Sequence, residues 1–210
     1  MAPVMDLTDN NENYIYDRSY GNDPEVVNKI TTAYISTMHS KGIATTGKHF
    51  PNLGATTVDS HVNLPILNKT LAELEKHEFI PFSDQKDNLA AVMVGHVMVP
   101  AIDKRYPASI SPKLIRQLRN RIGFEGVIVT DDIKMGALTN KFGHKEIAIR
   151  AIRAGADMII MAWEEKKQLE AVDAVEAAVR KGIINSSSID RSVRRILKMK
   201  FKYAKNRFEL

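Results

Sequence analysis

No cysteine occurs anywhere in the 210 residues. That excludes disulfides and thiolate catalysis, and it leaves the redox compartment unread. Long apolar runs are missing too, so no segment is expected to cross a membrane as a helix. The opening stretch Met1–Asp6 lacks a basic n-region and a long apolar h-region. It therefore does not read as a signal peptide, and a cytoplasmic location is expected. There is no Gly-rich dinucleotide fingerprint, no ligand cluster with zinc spacing, no internal repeat, no low-complexity tract and no interdomain linker. The one compositional imbalance is positive charge. Net charge is +5, and the tail from Arg191 to Arg207 holds eight Lys and Arg. Without an aromatic-rich basic stripe or a nucleic-acid motif, this run reads as a solvated helix face, and no nucleic-acid partner is expected.

What is present fits an ordinary globular domain. Hydrophobic residues make up 44% and charged residues 26%, enough for one domain over residues 1–210 with a sizeable core. Short apolar runs alternate with helix-period segments. Strand candidates are Ala2–Leu7, Gly42–Gly47, Ala90–His96, Gly126–Asp131 and Asp157–Ala162, most of them apolar on both faces as buried parallel strands are. Because the chain opens inside a strand, sequence is expected to be missing upstream.

Between the strands lie punctuated helices. Asp23-Pro24-Glu25 supplies a cap, a proline at the first helical position and an acid in the first turn. Val26, Val27, Ile30, Ala33, Tyr34 and Met38 follow as its expected apolar stripe. Thr70 and Glu73 form a capping-box pattern. Ser111-Pro112 opens a helix striped by Leu114, Ile115, Leu118 and Ile122 and closed by Gly123. Further helices are expected near His144–Ala154, Glu164–Lys181 and Ser188–Tyr203, the last burying Ile189, Val193, Ile196 and Leu197. The alternation implies an α/β protein with a parallel sheet. On pattern alone, an open doubly wound sheet and a (β/α)8 barrel both fit.

In either architecture, sites form where strands end. The second strand candidate runs into Lys48-His49, the third ends in His96, and the fourth runs into Asp131-Asp132. Alternation along a strand allows only one of the two acids to face the mouth. An Asp in this position also caps helices, and strand position does not choose between the roles. The connection from Phe50 to Pro65 is too long for an ordinary βα loop. It contains Asp59-Ser60-His61, whose two-residue spacing puts acid and imidazole on one face if the stretch is extended. A carboxylate there would fix the tautomer and favour a general acid near neutral pH, although a solvated loop histidine has the same spacing. A Lys48 ammonium aimed into a mouth needs an acceptor or water.

Together these segments resemble glycoside hydrolase family 3, in its β-N-acetylglucosaminidase branch. Lys48-His-Phe-Pro-Asn-Leu-Gly-Ala-Thr56 followed by Val58-Asp-Ser-His-Val-Asn-Leu-Pro65 is similar to that branch's K-H-F-P-G-H-G-D-T, x-D-S-H and L-P pattern. Gly123–Met135 resembles its nucleophile strand, Asp17-Arg-Ser-Tyr-Gly21 its D-R-S-F stretch, and Ile189–Leu197 its closing helix. The resemblance implies a TIM-type (β/α)8 barrel and retaining hydrolysis. Asp131 would be the nucleophile, His61 the acid/base and Asp59 its partner. Arg18, Lys48 and His49 would bind sugar hydroxyls. It implies no cofactor and no metal, an N-acetylglucosamine-containing saccharide cut from peptidoglycan fragments, and a monomer when complete. The x-D-S-H loop argues against the family's β-glucosidase branch. An inactive remnant or a sugar-binding protein is the alternative from another class.

Two departures from the family pattern stand out. Asn52-Leu53-Gly54-Ala55 replaces G-H-G-D, so loop closure or substrate contacts are expected to differ. The family pattern also begins earlier, with two barrel strands and a D-Q-E-G-G-R segment whose Asp binds sugar. A barrel truncated at its N-terminus is therefore expected, with about five to six of eight strands and little activity alone.

Overall fold

The computed structural model describes residues 1–203. Lys205 and Arg207 of the basic tail lie outside that range. Four parallel strands form one sheet in chain order: β1 (Thr46–Phe50), β2 (Ala91–Val94), β3 (Val127–Asp132) and β4 (Met158–Ile160). Helices α1 (Pro24–Ser40), α2 (Leu71–Lys76), α3 (Ile80–Asp84), α4 (Pro112–Arg116), α5 (Gly136–Thr139), α6 (His144–Ala154), α7 (Glu165–Arg180) and α8 (Ser186–Tyr203) lie between and after them. This is part of a (β/α) barrel. Apolar side chains bury both faces of β2 and most of β3, as parallel strands covered by helices require.

Several expectations need correction. Ala2–Leu7 runs parallel to β1, with Thr46 N donating to Ala2 O at 2.8 Å, Lys48 N to Pro3 O at 3.1 Å and Met5 N to Lys48 O at 2.6 Å. Only Val4 makes a bridge there, because Pro3 has no N–H to continue the ladder. Gly42–Gly47 does not start a strand at Gly42. That residue turns the chain after α1 with φ +71°, and β1 begins at Thr46. The buried stripe of α1 is Val27, Thr31 and Ile35, while Val26 and Ile30 face outward. Thr31 is tolerated inside because its hydroxyl donates to Val27 O at 2.8 Å.

Helix punctuation follows the sequence closely. Asp23 Oδ1 accepts from Glu25 N at 2.8 Å, and Thr70 and Glu73 form the complete capping box. Ser111 caps α4, whose last turn widens into a π segment over Gln117–Arg121 before Gly123 ends it at φ +79°. Leu114, Ile115, Leu118 and Ile122 are all buried. The core centres on Phe50, whose ring meets Phe79 at 5.1 Å and Phe82 edge-on at 5.3 Å. At the other end, α8 buries none of the residues expected of it, and Val193 and Leu197 are exposed. Ile189 and Ile196 are half-buried.

Candidate active site

A cavity of about 330 Å³ opens at the C-terminal ends of the strands, within the size range of small-ligand sites. Tyr14, Arg18, Lys48, His49, His61 and Asp131 line it, with Leu53, Met93 and Ile160 as apolar wall. Every residue to which the family resemblance gives a role, except Asp59, is therefore on one lining. Asp59 stands behind it and holds His61.

Local irregularities in the sheet aim these groups. Lys48 pairs with Met93 and Phe50 with Val94, so two steps on β1 answer one on β2. Such a bulge re-aims side chains, and here Lys48 and His49 both reach the cavity. A second register shift lies between Val129 and Asp132. Past it the two acids divide as alternation requires. Asp131 faces the cavity with its side chain 19% exposed. Asp132 holds the turn, accepting from Lys134 N at 3.0 Å and Ala162 N at 3.3 Å.

Behind His49 lies Asp6, which the sequence reading placed in a strand without giving it a role. Asp6 is fully buried and accepts from His49 Nδ1 at 2.7 Å, His49 N at 3.1 Å and Leu53 N at 2.7 Å. That bond fixes a proton on Nδ1 and leaves Nε2 facing Asp131 Oδ2 at 3.9 Å. The rule that drew attention to the other strand ends applies to Asp6 as well, since it is the polar end of an apolar run. Burial pushes the Lys48 ammonium below its usual pKa, Arg18 adds to the effect, and Asp131 and Asp6 oppose it.

His96 is another residue without an assigned role. It is fully buried, with Nδ1 2.7 Å from Ser109 Oγ and Nε2 2.9 Å from Asp132 O. A carbonyl only accepts, so Nε2 carries the proton and the Ser109 hydroxyl donates to Nδ1. Burial lowers the pKa of His96, against the pull of Asp131, so a neutral ring props the backbone beside the cavity acid.

The long loop carries the remaining groups. Asp59 Oδ1 accepts from His61 Nδ1 at 2.7 Å and His61 N at 2.9 Å. Burial raises the Asp59 carboxyl, but these bonds and the charge of His61 together outweigh it and hold the group below the usual carboxylate range. The substituted turn of the loop is closed by its own residues. Asn52 accepts from Leu7 N and Gly54 N and donates to Leu7 O, while Asn13 Nδ2 reaches the carbonyls of Leu53, Gly54 and Thr56. Tyr14 OH lies 2.9 Å from Ser60 Oγ, and burial pushes the phenol up to about 12.

A parallel barrel sheet whose strand ends surround one cavity with a carboxylate and a His–Asp pair defines a glycosidase-like class of site. The sequence model for the glycosyl hydrolase family 3 N-terminal domain matches residues 1–199, and the chain belongs to that family. It is 36% identical over 208 residues to the beta-hexosaminidase LpqI of Mycobacterium tuberculosis, covering 95% of this chain and 53% of that protein. Among solved structures, a glycoside hydrolase family 3 beta-N-acetylglucosaminidase from Paenibacillus sp. str. FPU-7 superposes with a TM-score of 0.94 at 37% identity, over 97% of this chain and 39% of that one. The beta-glucoside phosphorylase BglX superposes at 0.91 with 27% identity, over 100% of this chain and 39% of its own. The chain thus spans about half the length of the curated relatives it matches.

Proposed function

We propose that this chain carries the catalytic face of a retaining, exo-acting β-N-acetylglucosaminidase that removes N-acetylglucosamine from peptidoglycan fragments. The observation that carries the reading is the shared lining of Asp131 and His61, with Asp59 bonded to His61 Nδ1 at 2.7 Å. In the first step a carboxylate oxygen of Asp131 bonds to the anomeric carbon. The glycosidic C–O bond breaks, and His61 Nε2–H passes its proton to the departing oxygen. In the second step neutral His61 takes a proton from water, whose oxygen displaces Asp131 and releases the sugar with its configuration retained. Asp59 holds the imidazole and stabilises its charged form, while Arg18, Lys48 and His49 bind ring hydroxyls. The similarity to LpqI and to the Paenibacillus enzyme supports this substrate class.

A neutral base does not repel an anionic acceptor, and the likeness to BglX favours phosphate as a second acceptor. Turnover of para-nitrophenyl β-N-acetylglucosaminide and of the β-glucoside, with and without phosphate, tests both readings in the full-length polypeptide. Faster release from the N-acetylated substrate supports the proposal, whereas equal or reversed preference assigns the chain to the glucosidase branch. Sugar phosphate among the products establishes phosphorolysis. Asp131→Ala should abolish turnover of every substrate. His61→Ala should lose far more on disaccharides than on dinitrophenyl glycosides, whose leaving group needs no proton.

A further inference from the structure

The side chains of His61 and Asp59 are 62% and 41% exposed, and their one mutual bond does not fix them relative to Asp131. Their position must come from the backbone of the loop. That backbone is seated on the turn that follows β3. Gly136 N donates to His61 O at 3.0 Å, and Ala137 N donates to Ser60 O at 3.2 Å. Asn140 Nδ2 adds bonds to Val62 O at 3.0 Å and Asn63 Oδ1 at 3.2 Å.

Gly136 is where the approach is closest. A Cβ on that residue would stand 2.3 Å from Val62 O, 2.8 Å from His61 O and 2.9 Å from Val62 C. All three neighbours are backbone atoms, so no side-chain rotation relieves the overlap. Gly136 is not among the positive-φ glycines, so its own backbone accepts any residue. Its lack of a side chain is demanded by the loop lying on it.

We propose that Gly136 is a positioning residue. Its bare Cα is the seat on which the Asp59–His61 segment docks, and this seat ties the proton-transfer pair to the turn that follows β3, the strand that carries Asp131. The proposal rests on the reading of His61 as acid/base. A methyl group at Gly136 lifts the loop while leaving β3 and Asp131 in place. Displacing a catalytic group by about 1 Å can cost about 10²-fold in rate. That loss should fall on substrates that need a proton and spare those that do not.

Two measurements on Gly136→Ala in the full-length polypeptide separate docking from chemistry. Hydrogen exchange should quicken at the amides of residues 61–63 and at Ala137, while β3 amides keep their protection. Turnover of a natural disaccharide should fall about 10²-fold, and that of the dinitrophenyl glycoside only a few-fold. Unchanged exchange in the loop overturns the docking. An equal loss on both substrates, beside a selective loss in His61→Ala, overturns the positioning role. A His61→Ala variant with no leaving-group dependence overturns the acid/base reading and the catalytic half of this proposal, while the exchange result still judges the docking. If Gly136→Ala does not fold, Asn140→Ala removes a neighbouring clip without adding bulk. It should show the same selective loss at several-fold, and the absence of that selectivity overturns the proposal.

Discussion

The two flanks of the sheet are built from similar residues and end up in different states. On one flank β1, β2 and most of β3 are buried, and Phe50, Val92, Val94 and Ile128 are fully inside. On the other, β4 is only half-buried along its whole length, although Met158, Ile159 and Ile160 are as apolar as the strands before it. Beyond β4 lies an apolar hollow of about 690 Å³, lined by residues such as Ile159, Met161, Val172, Val175 and Ile189. Val172 in its lining is exposed, and so are Leu169 on α7 and Val193, Leu197 and Phe201 on α8. Burial is conferred by a neighbour. Among the described residues β4 has a strand on one side only. The larger cavity is therefore this unpaired flank, and the smaller polar one is the candidate active site.

Because α8 buries no side chain, polar links hold it to the well-packed flank, and cutting them should have the largest effect. Asp157, fully buried, accepts from Arg119, Ile128 N, Ser192 Oγ and Arg195. Asp157→Ala strands the largely buried Arg119 guanidinium and should cost about 3–5 kcal/mol in a denaturant melt. Phe50→Ala, which empties the aromatic cluster against Phe79 and Phe82, should cost a similar about 3–5 kcal/mol. The two should differ in where they loosen the chain. Hydrogen exchange in Asp157→Ala should rise first in α8, and in Phe50→Ala first in β1 and α3. If both variants open the same amides first, the two flanks are one cooperative unit and the contrast is broken.

How much of this was legible in the sequence follows the same division. Helix starts were readable because Asp23, Thr70 and Ser111 carry their signals locally. The cavity residues were readable because chemistry sits at strand ends and the motifs bear it. Asp6 and His96 received no role because each acts through a partner distant in sequence, His49 and the Asp132 carbonyl. The expected burial of Val193 and Leu197 failed because periodicity reports that a helix has an apolar face, not that anything covers it. Strand β1 was placed four residues early because the apolar run includes a turn glycine, Gly42.

A smaller effect should appear with acid, and it belongs to the packed flank. The folded-state pKa of His96 is lowered, mainly by burial. Its contribution to stability is complete above the unfolded value of about 6.5 and is lost as pH falls from there toward the lowered folded value. His96→Gln keeps an N–H for the Asp132 carbonyl and removes the titration. The parent should therefore lose more Tm than the variant between pH 7.5 and pH 5.5. An equal loss in both would show that His96 does not account for the acid sensitivity of this flank.

The smallest effect is expected where exposure is greatest. Phe201 is 68% exposed on α8 and Val172 is 63% exposed on α7. Replacing either by Ser changes helix propensity little and removes almost no buried area. Each variant should stay within about 0.5 kcal/mol of the parent chain, despite deleting an apolar side chain as Phe50→Ala does. Phe201 and Phe50 are the same residue type and differ in their neighbours. A loss above about 2 kcal/mol in the Val172 variant would mean that the hollow beside β4 is covered in solution, and one in the Phe201 variant that the exposed face of α8 is covered. Melts at several chain concentrations then separate the cases: a Tm that rises with concentration identifies a second copy as the cover, and a constant Tm places the cover within the same polypeptide.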